Sequence, residues 1–121
     1  MADYFEMFED CTIQEIYIEF LFEEWPLLAT LEEEARQRLY TAISTALEAA
    51  ACPVQAIKAK PDGLHLVAKV DVNLSLDDVA DIVEVTARTV TTDSKDAQGP
   101  LSYSAESLSP SDVIDAVLRL R

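Results

Sequence analysis

Between Thr12 and Phe22 the residues Ile13, Ile16, Tyr17, Ile18, Phe20, Leu21 and Phe22 are β-branched, aromatic or otherwise apolar. That density suits a central strand covered on both sides better than an exposed one. The period then changes. Leu31, Ala35, Leu39, Ala42, Ile43, Ala46, Leu47 and Ala50 recur at three and four positions and form the stripe of an amphipathic helix. Thr30-x-x-Glu33 predicts a capping box at its start, Glu32 to Glu34 suit the positive end of its dipole, and Pro53 ends it. A second strand is expected over Val54–Lys60, followed by the turn Pro61-Asp62-Gly63 and a third strand over Leu64–Val72. Alternation along the third strand sends His65, Val67, Lys69 and Asp71 to one face, and Leu64, Leu66, Ala68, Val70 and Val72 to the other.

Ser75-x-x-Asp78 opens a second helix with Leu76, Val79, Ile82, Val83, Thr86 and Val90 on its inner face. Asp93 to Pro100 reads as a polar loop and Leu101 to Leu108 as a fourth strand. Ser109-Pro110-Ser111-Asp112 then caps a short C-terminal helix bearing Val113, Val117 and Leu120. The order β-α-β-β-α-β predicts an α+β, ferredoxin-like fold: an antiparallel four-stranded sheet with helices on one face, plus the short C-terminal helix. Residues 12–121 form this domain. Residues 1–11, with Tyr4, Phe5, Met7 and Phe8 among four acids, are an N-terminal arm or a helical turn packed on the domain.

At 121 residues there is room for one core and not two, and half of the residues are hydrophobic, which supports a folded chain in spite of a formal net charge of −14. The first residues lack the basic start and apolar run of a signal peptide, and no stretch approaches the ~18 apolar residues of a membrane helix. A cytoplasmic protein with no membrane association is expected. Cys11 and Cys52 are far apart with no Cys-x-x-Cys spacing, and in a reducing compartment they read as small buried hydrophobes.

Charge is unevenly placed. From Asp3 to Glu34 there are eleven acidic residues and no Lys or Arg. Such a surface repels a phosphate backbone and steers a basic protein toward it, or serves only solubility or a salty cytoplasm. The partner-binding residues expected on the first view are Asp3, Glu6, Glu9, Asp10, Glu23, Glu24 and Trp25. Arg36, Arg38, Lys58, Lys60 and Lys69 form a modest basic patch near the hairpin or are scattered surface bases. Tyr17, Phe20 and Phe22 read as packing residues, and the pairs Glu23-Glu24 and Asp77-Asp78 have no adjacent nucleophile or histidine for acid/base work.

Three segments resemble one family in the right order. Pro61-Asp62-Gly63-Leu64-His65-Leu66-Val67 resembles the hairpin that carries the His-hydrophobic-His metal motif of the insertion-sequence-200-like, single-tyrosine transposases, which include the REP-associated tyrosine transposases. Leu74-Ser75-Leu76-Asp77-Asp78-Val79 is similar to the family's cap of the second helix, and Tyr103 through Val113 to its fourth strand and the entry to its nucleophile helix. Phe20 through Trp25-Pro26-Leu27-Leu28 falls where the family has its first strand and following turn. The resemblance covers Ile13 to the C-terminus. It implies a ferredoxin-like fold, DNA-binding ancestry and a homodimer joined edge to edge.

In the active family two histidines hold a divalent metal that polarises the scissile phosphate, a tyrosine of the last helix attacks phosphorus, and a glutamine one turn later completes the metal site. Carried onto this chain, the first histidine is Gly63 and the second is His65. The nucleophile falls near Arg119, with Tyr103 the nearest tyrosine, and the glutamine falls beyond Arg121. A lone histidine holds Mg²⁺ or Mn²⁺ poorly. The family's basic cluster after the first strand is replaced by Glu23-Glu24-Trp25, and its basic second helix carries Asp81 and Glu84. The expectation is a catalytically inactive, domesticated transposase-like domain with no cofactor and no metal, His65 and Gly63 being vestigial, that binds a basic protein. The alternatives are a degenerate binder of DNA or RNA hairpins, disfavoured by net charge, and, more remotely, an active transposase.

Overall fold

A computed structural model describes residues 15–23, 25, 27–71, 74–90 and 102–120. The elements run β1 (Glu15–Glu23), α1 (Leu27–Thr30), α2 (Glu33–Ala49), β2 (Val54–Lys60), β3 (Gly63–Asp71), α3 (Leu76–Val90), β4 (Ser102–Leu108) and α4 (Pro110–Leu120). The strands form one sheet in the order β2-β3-β1-β4 with every neighbouring pair antiparallel, the expected α+β, ferredoxin-like arrangement. The expected N-terminal arm, its four acids and Cys11 lie outside the described residues, as do Glu24 and the loop before β4.

Period-2 alternation divides the sheet into two faces with different covers. Ile18, Phe20 and Phe22 of β1, with Leu64, Leu66, Ala68 and Val70 of β3, meet Leu39, Ile43 and Leu47 of α2 and Val79, Val83 and Ala87 of α3 in the main core. The Phe20 and Phe22 rings stack at 5.8 Å, and Tyr103 of β4 packs against both. On the other face α4 sets Ala116 and Leu120 on the buried Val67, flanked by Ala56 and Leu108. The C-terminal helix is therefore a third layer that covers part of the second sheet face. Its outer side leaves Ile114 and Leu118 exposed, at 63% and 61%.

Two of the three expected helix caps form. The Asp78 N–H donates to Ser75 Oγ at 3.1 Å, and the Asp112 N–H to Ser109 Oγ at 3.3 Å, with Pro110 in the first position of α4. The long helix expected to open at Thr30 starts later. Burial of Leu28 fixes a separate turn of helix that Thr30 closes, so α2 begins only at Glu33, after Glu32, whose side chain makes no capping bond. At its far end Ala51 takes the left-handed conformation, φ 63°, and the Cys52 N–H returns to the Leu47 carbonyl at 2.7 Å. The strands differ from their expected bounds by small shifts: β1 starts at Glu15 within the described residues, β3 already includes Gly63, and β4 starts at Ser102.

Ile43 is fully buried at the centre of the helix layer. Ile43→Ala is expected to lower unfolding free energy by about 2–5 kcal/mol in chemical denaturation. Ile114→Ala, on the outer side of α4, should stay within about 0.5 kcal/mol.

Candidate functional site

The second sheet face, beside α4, is where the residues with chemistry collect. Glu19 and Leu21 of β1, His65 of β3, and Ser104, Ala105 and Glu106 of β4 line an open concavity of about 440 Å³. His65 reaches this face because it alternates with the core residues Leu64 and Leu66, and it stands opposite Leu21 on one side and Lys58 on the other. Its Nε2 lies 2.7 Å from Asp62 Oδ1 in the preceding turn. The hydrogen bond from His65 holds the Asp62 carboxyl below its ordinary pKa. Glu19 sits directly opposite Glu106 in the β1–β4 ladder, a like-charge pair that Arg119 of α4 offsets by placing Nη2 3.3 Å from Glu19 Oε1. Lys60 Nζ donates to the Arg119 carbonyl at 3.4 Å, tying the end of α4 to β2.

The position that the resemblance assigns to the first metal histidine has no room for any side chain. Gly63 has φ +145°, and a Cβ built there would lie 2.2 Å from the Phe22 carbonyl oxygen and 3.1 Å from its carbon. Both obstacles are backbone of the central strand, so no rotamer change relieves them. The divalent metal that the resemblance implies therefore does not fit the residues present. Of the pair that the resemblance implies, one imidazole is present and it is hydrogen-bonded to Asp62, and among the described residues no group of three or more His, Cys, Asp or Glu side chains could hold an ion.

Tyr103 is equally unsuited to be the nucleophile that the resemblance implies. It lies on the helix-covered face, away from His65, and its hydroxyl donates to Asp77 Oδ1 at 2.5 Å. That bond, with lesser contributions from burial and the charges of Asp77 and Asp81, raises its pKa to about 12. An attacking phenolate needs the opposite shift. The place near Arg119 where the family's tyrosine falls is filled by the Glu19 ion pair. Burial likewise raises the Cys52 thiol, which suits an inert core position.

No family model matches the chain, and no curated protein does. A candidate transposase from Deinococcus radiodurans shares the architecture, with a TM-score of 0.69 over 92% of this chain and 95% of that one, at 11% identity. The fold is transposase-like. No helix among the described residues is long and apolar enough to cross a membrane.

Of the residues expected to bind partners, Arg36 and Lys60 line one concavity by the hairpin turn. Of the basic group, Lys58, Lys60 and Lys69 lie on strands β2 and β3, whereas Arg36 and Arg38 lie on α2 and pair with Glu33 at 3.3 Å and Glu34 at 3.9 Å. Of the acidic group, Asp3, Glu6, Glu9, Asp10 and Glu24 fall outside the described residues, and Glu23 ends β1. Trp25 is only 5% exposed and belongs to the main core, which removes most of its ring from any partner-facing surface. Glu19 was not legible as a site residue, because its partner is 100 positions away. Also missed was the meeting of Trp25 and Arg36 at a second concavity by the hairpin turn. An N–H buried there without a partner costs about 1–3 kcal/mol.

Two outcomes follow from this geometry. Gly63→Ala and Gly63→His should each destabilise the fold by more than about 1 kcal/mol in denaturant titration, and Gly63→His should gain no Mn²⁺ binding by calorimetry. For Tyr103, a folded pKa raised from 10 to about 12 means that the neutral phenol is favoured in the folded state. Its contribution is fully present below pH 10 and is lost as pH rises through about 12. Tyr103→Phe should flatten the stability profile over that alkaline window, read by denaturation at successive pH values.

Proposed function

We propose that this chain is a transposase-derived domain that works by binding and does not cleave DNA. The observation that carries the reading is the approach of the Phe22 carbonyl to Gly63, which leaves no space for the first metal ligand. The unsuitable setting of Tyr103 and the Glu19–Arg119 pair where the nucleophile would stand support it further.

The partner in this reading is a basic protein. Glu48, Asp78 and Asp81 are exposed on the helix layer, in a chain of net charge −14, and a phosphate backbone would meet repulsion there. A second reading, binding of a DNA or RNA hairpin, draws support from Lys58, Lys60 and Lys69 on the sheet strands beside His65. A homodimer through an edge strand belongs to the same proposal. The β2 edge already donates its Ala59 N–H to Tyr40 Oη at 2.8 Å, whereas β4 has no such side-chain cover among the described residues. Pairing through β4 is the arrangement this favours.

Incubation with labelled single-stranded hairpins and Mg²⁺ or Mn²⁺ tests the inactive reading, with no covalent adduct expected on a denaturing gel. An adduct would refute it. In ~150 mM salt the wild-type chain should show no micromolar affinity for the same hairpins, and capture of a basic partner should slow as salt screens charges beyond ~8 Å. Glu23→Lys with Glu24→Lys should weaken that capture while leaving the thermal midpoint nearly unchanged. Micromolar hairpin binding by the wild type would replace the protein partner with the nucleic-acid reading.

A further inference from the structure

Strand β4 ends the sheet order β2-β3-β1-β4 and pairs with β1 alone among the described strands. Its side chains alternate between two settings. Ser104 and Glu106 stand opposite Leu21 and Glu19 of β1 and, with His65, line the concavity of about 440 Å³ on the second sheet face. Tyr103 packs on the main core instead, and on that face it shares a concavity of about 350 Å³ with Asp77, Asp81 and Glu84 of α3. An open hollow therefore lies beside β4 on each face of the sheet, and neither lining holds a Lys or Arg.

Both hollows are negative. Glu19 and Glu106 face each other directly across the β1–β4 ladder, an arrangement that costs stability, and Arg119 offsets Glu19 alone. Glu106 is exposed and forms no ion pair among the described residues. On the helix-covered face Arg88 pairs with Glu84 and Tyr103 donates to Asp77, while Asp81 stays exposed. A phosphate backbone is repelled from both sides. A second copy at this edge, the homodimer considered above, would bring the same carboxylates with it, and residues 1–14 of the chain hold four acids and no Lys or Arg. An added strand gains main-chain hydrogen bonds from an edge whatever its sequence, and its side chains alternate between the faces. Positions opposite Tyr103 and Glu106 are three apart and so fall on opposite faces. Taking the partner to be a basic protein, as in the reading on which this rests, we infer that the β4 edge takes up an extended basic segment by strand addition. Its Lys or Arg side chains, three positions apart, meet Glu106 on one face and the α3 carboxylates beside Tyr103 on the other, and the segment displaces a second copy from the edge.

Proton–nitrogen correlation spectra of the full chain are recorded during titration with a peptide of about eight Thr and Val residues that carries two lysines three positions apart. Saturable shifts are expected at the amides of Ser102–Leu108. Affinity should fall about threefold when the lysines stand two apart, and at least about tenfold when glutamates replace them. N-methylation of one alternate set of peptide amides should abolish binding and of the other set should be tolerated, because only one set faces the ladder. Glu106→Gln together with Asp81→Asn, both at exposed positions, should weaken binding about tenfold with the circular dichroism spectrum unchanged. Shifts centred on α2 and α3 with β4 unmoved, or binding that survives either N-methylation, would overturn strand addition while the basic-partner reading stands. No saturable shift with any lysine peptide overturns it too, and salt-dependent capture of a basic protein then decides that reading separately. A dimer whose β4 amides stay unshifted under excess peptide gives the edge to a second copy and likewise refutes it.

Discussion

The central place of β1, buried on its helix-covered face and paired along both edges, is the constraint from which the rest of the domain takes its position. Its hydrogen bonds are shared between β3 and β4, so the hairpin on one side and the C-terminal strand on the other are each registered against it. Ile18, Phe20 and Phe22 supply the floor on which α2 and α3 rest. The opposite side of the same strand presents Glu19 and Leu21 to the concavity beside His65. A single strand thus sets both the core and the candidate site, and any shift in its carbonyls is felt at Gly63, where the approach to Phe22 is tightest.

The two sheet faces have been put to different uses. One is a closed, apolar core with two aromatic hydroxyls at its margin, Tyr103 donating to Asp77 and Tyr40 accepting from the Ala59 N–H. The other is only partly covered by α4, and some of its polar groups are paired within the chain: His65 with Asp62, Glu19 with Arg119, Lys60 with the Arg119 carbonyl. Exposed pairs of this kind contribute little to stability, at most about 1 kcal/mol each. Their effect is to occupy the groups that would otherwise be available to an ion or a phosphate.

Periodicity made the architecture legible. The dense apolar run of β1, the three-and-four spacing of α2 and α3, and the Ser75 and Ser109 caps all correspond to observed elements, because each is decided by local geometry and burial. The start of α2 was misread because a Thr-x-x-Glu match cannot reveal that Leu28 would be buried and hold a separate helical turn. The site was legible only in part. That position 63 carries no metal ligand is visible in the residue itself, but the steric closure there depends on Phe22, a residue of a different strand. The Glu19–Arg119 pair and the meeting of Trp25 with Arg36 are products of tertiary packing, and no spacing rule anticipates them.

The contact between Gly63 and the Phe22 carbonyl also bears on what substitution can do here. A side chain at this place needs at least two changes together, one to supply it and one to move strand β1 away, and the first alone is harmful. The residue is held by its neighbour more firmly than by its own contacts: any route to a larger residue at position 63 through a single substitution is closed.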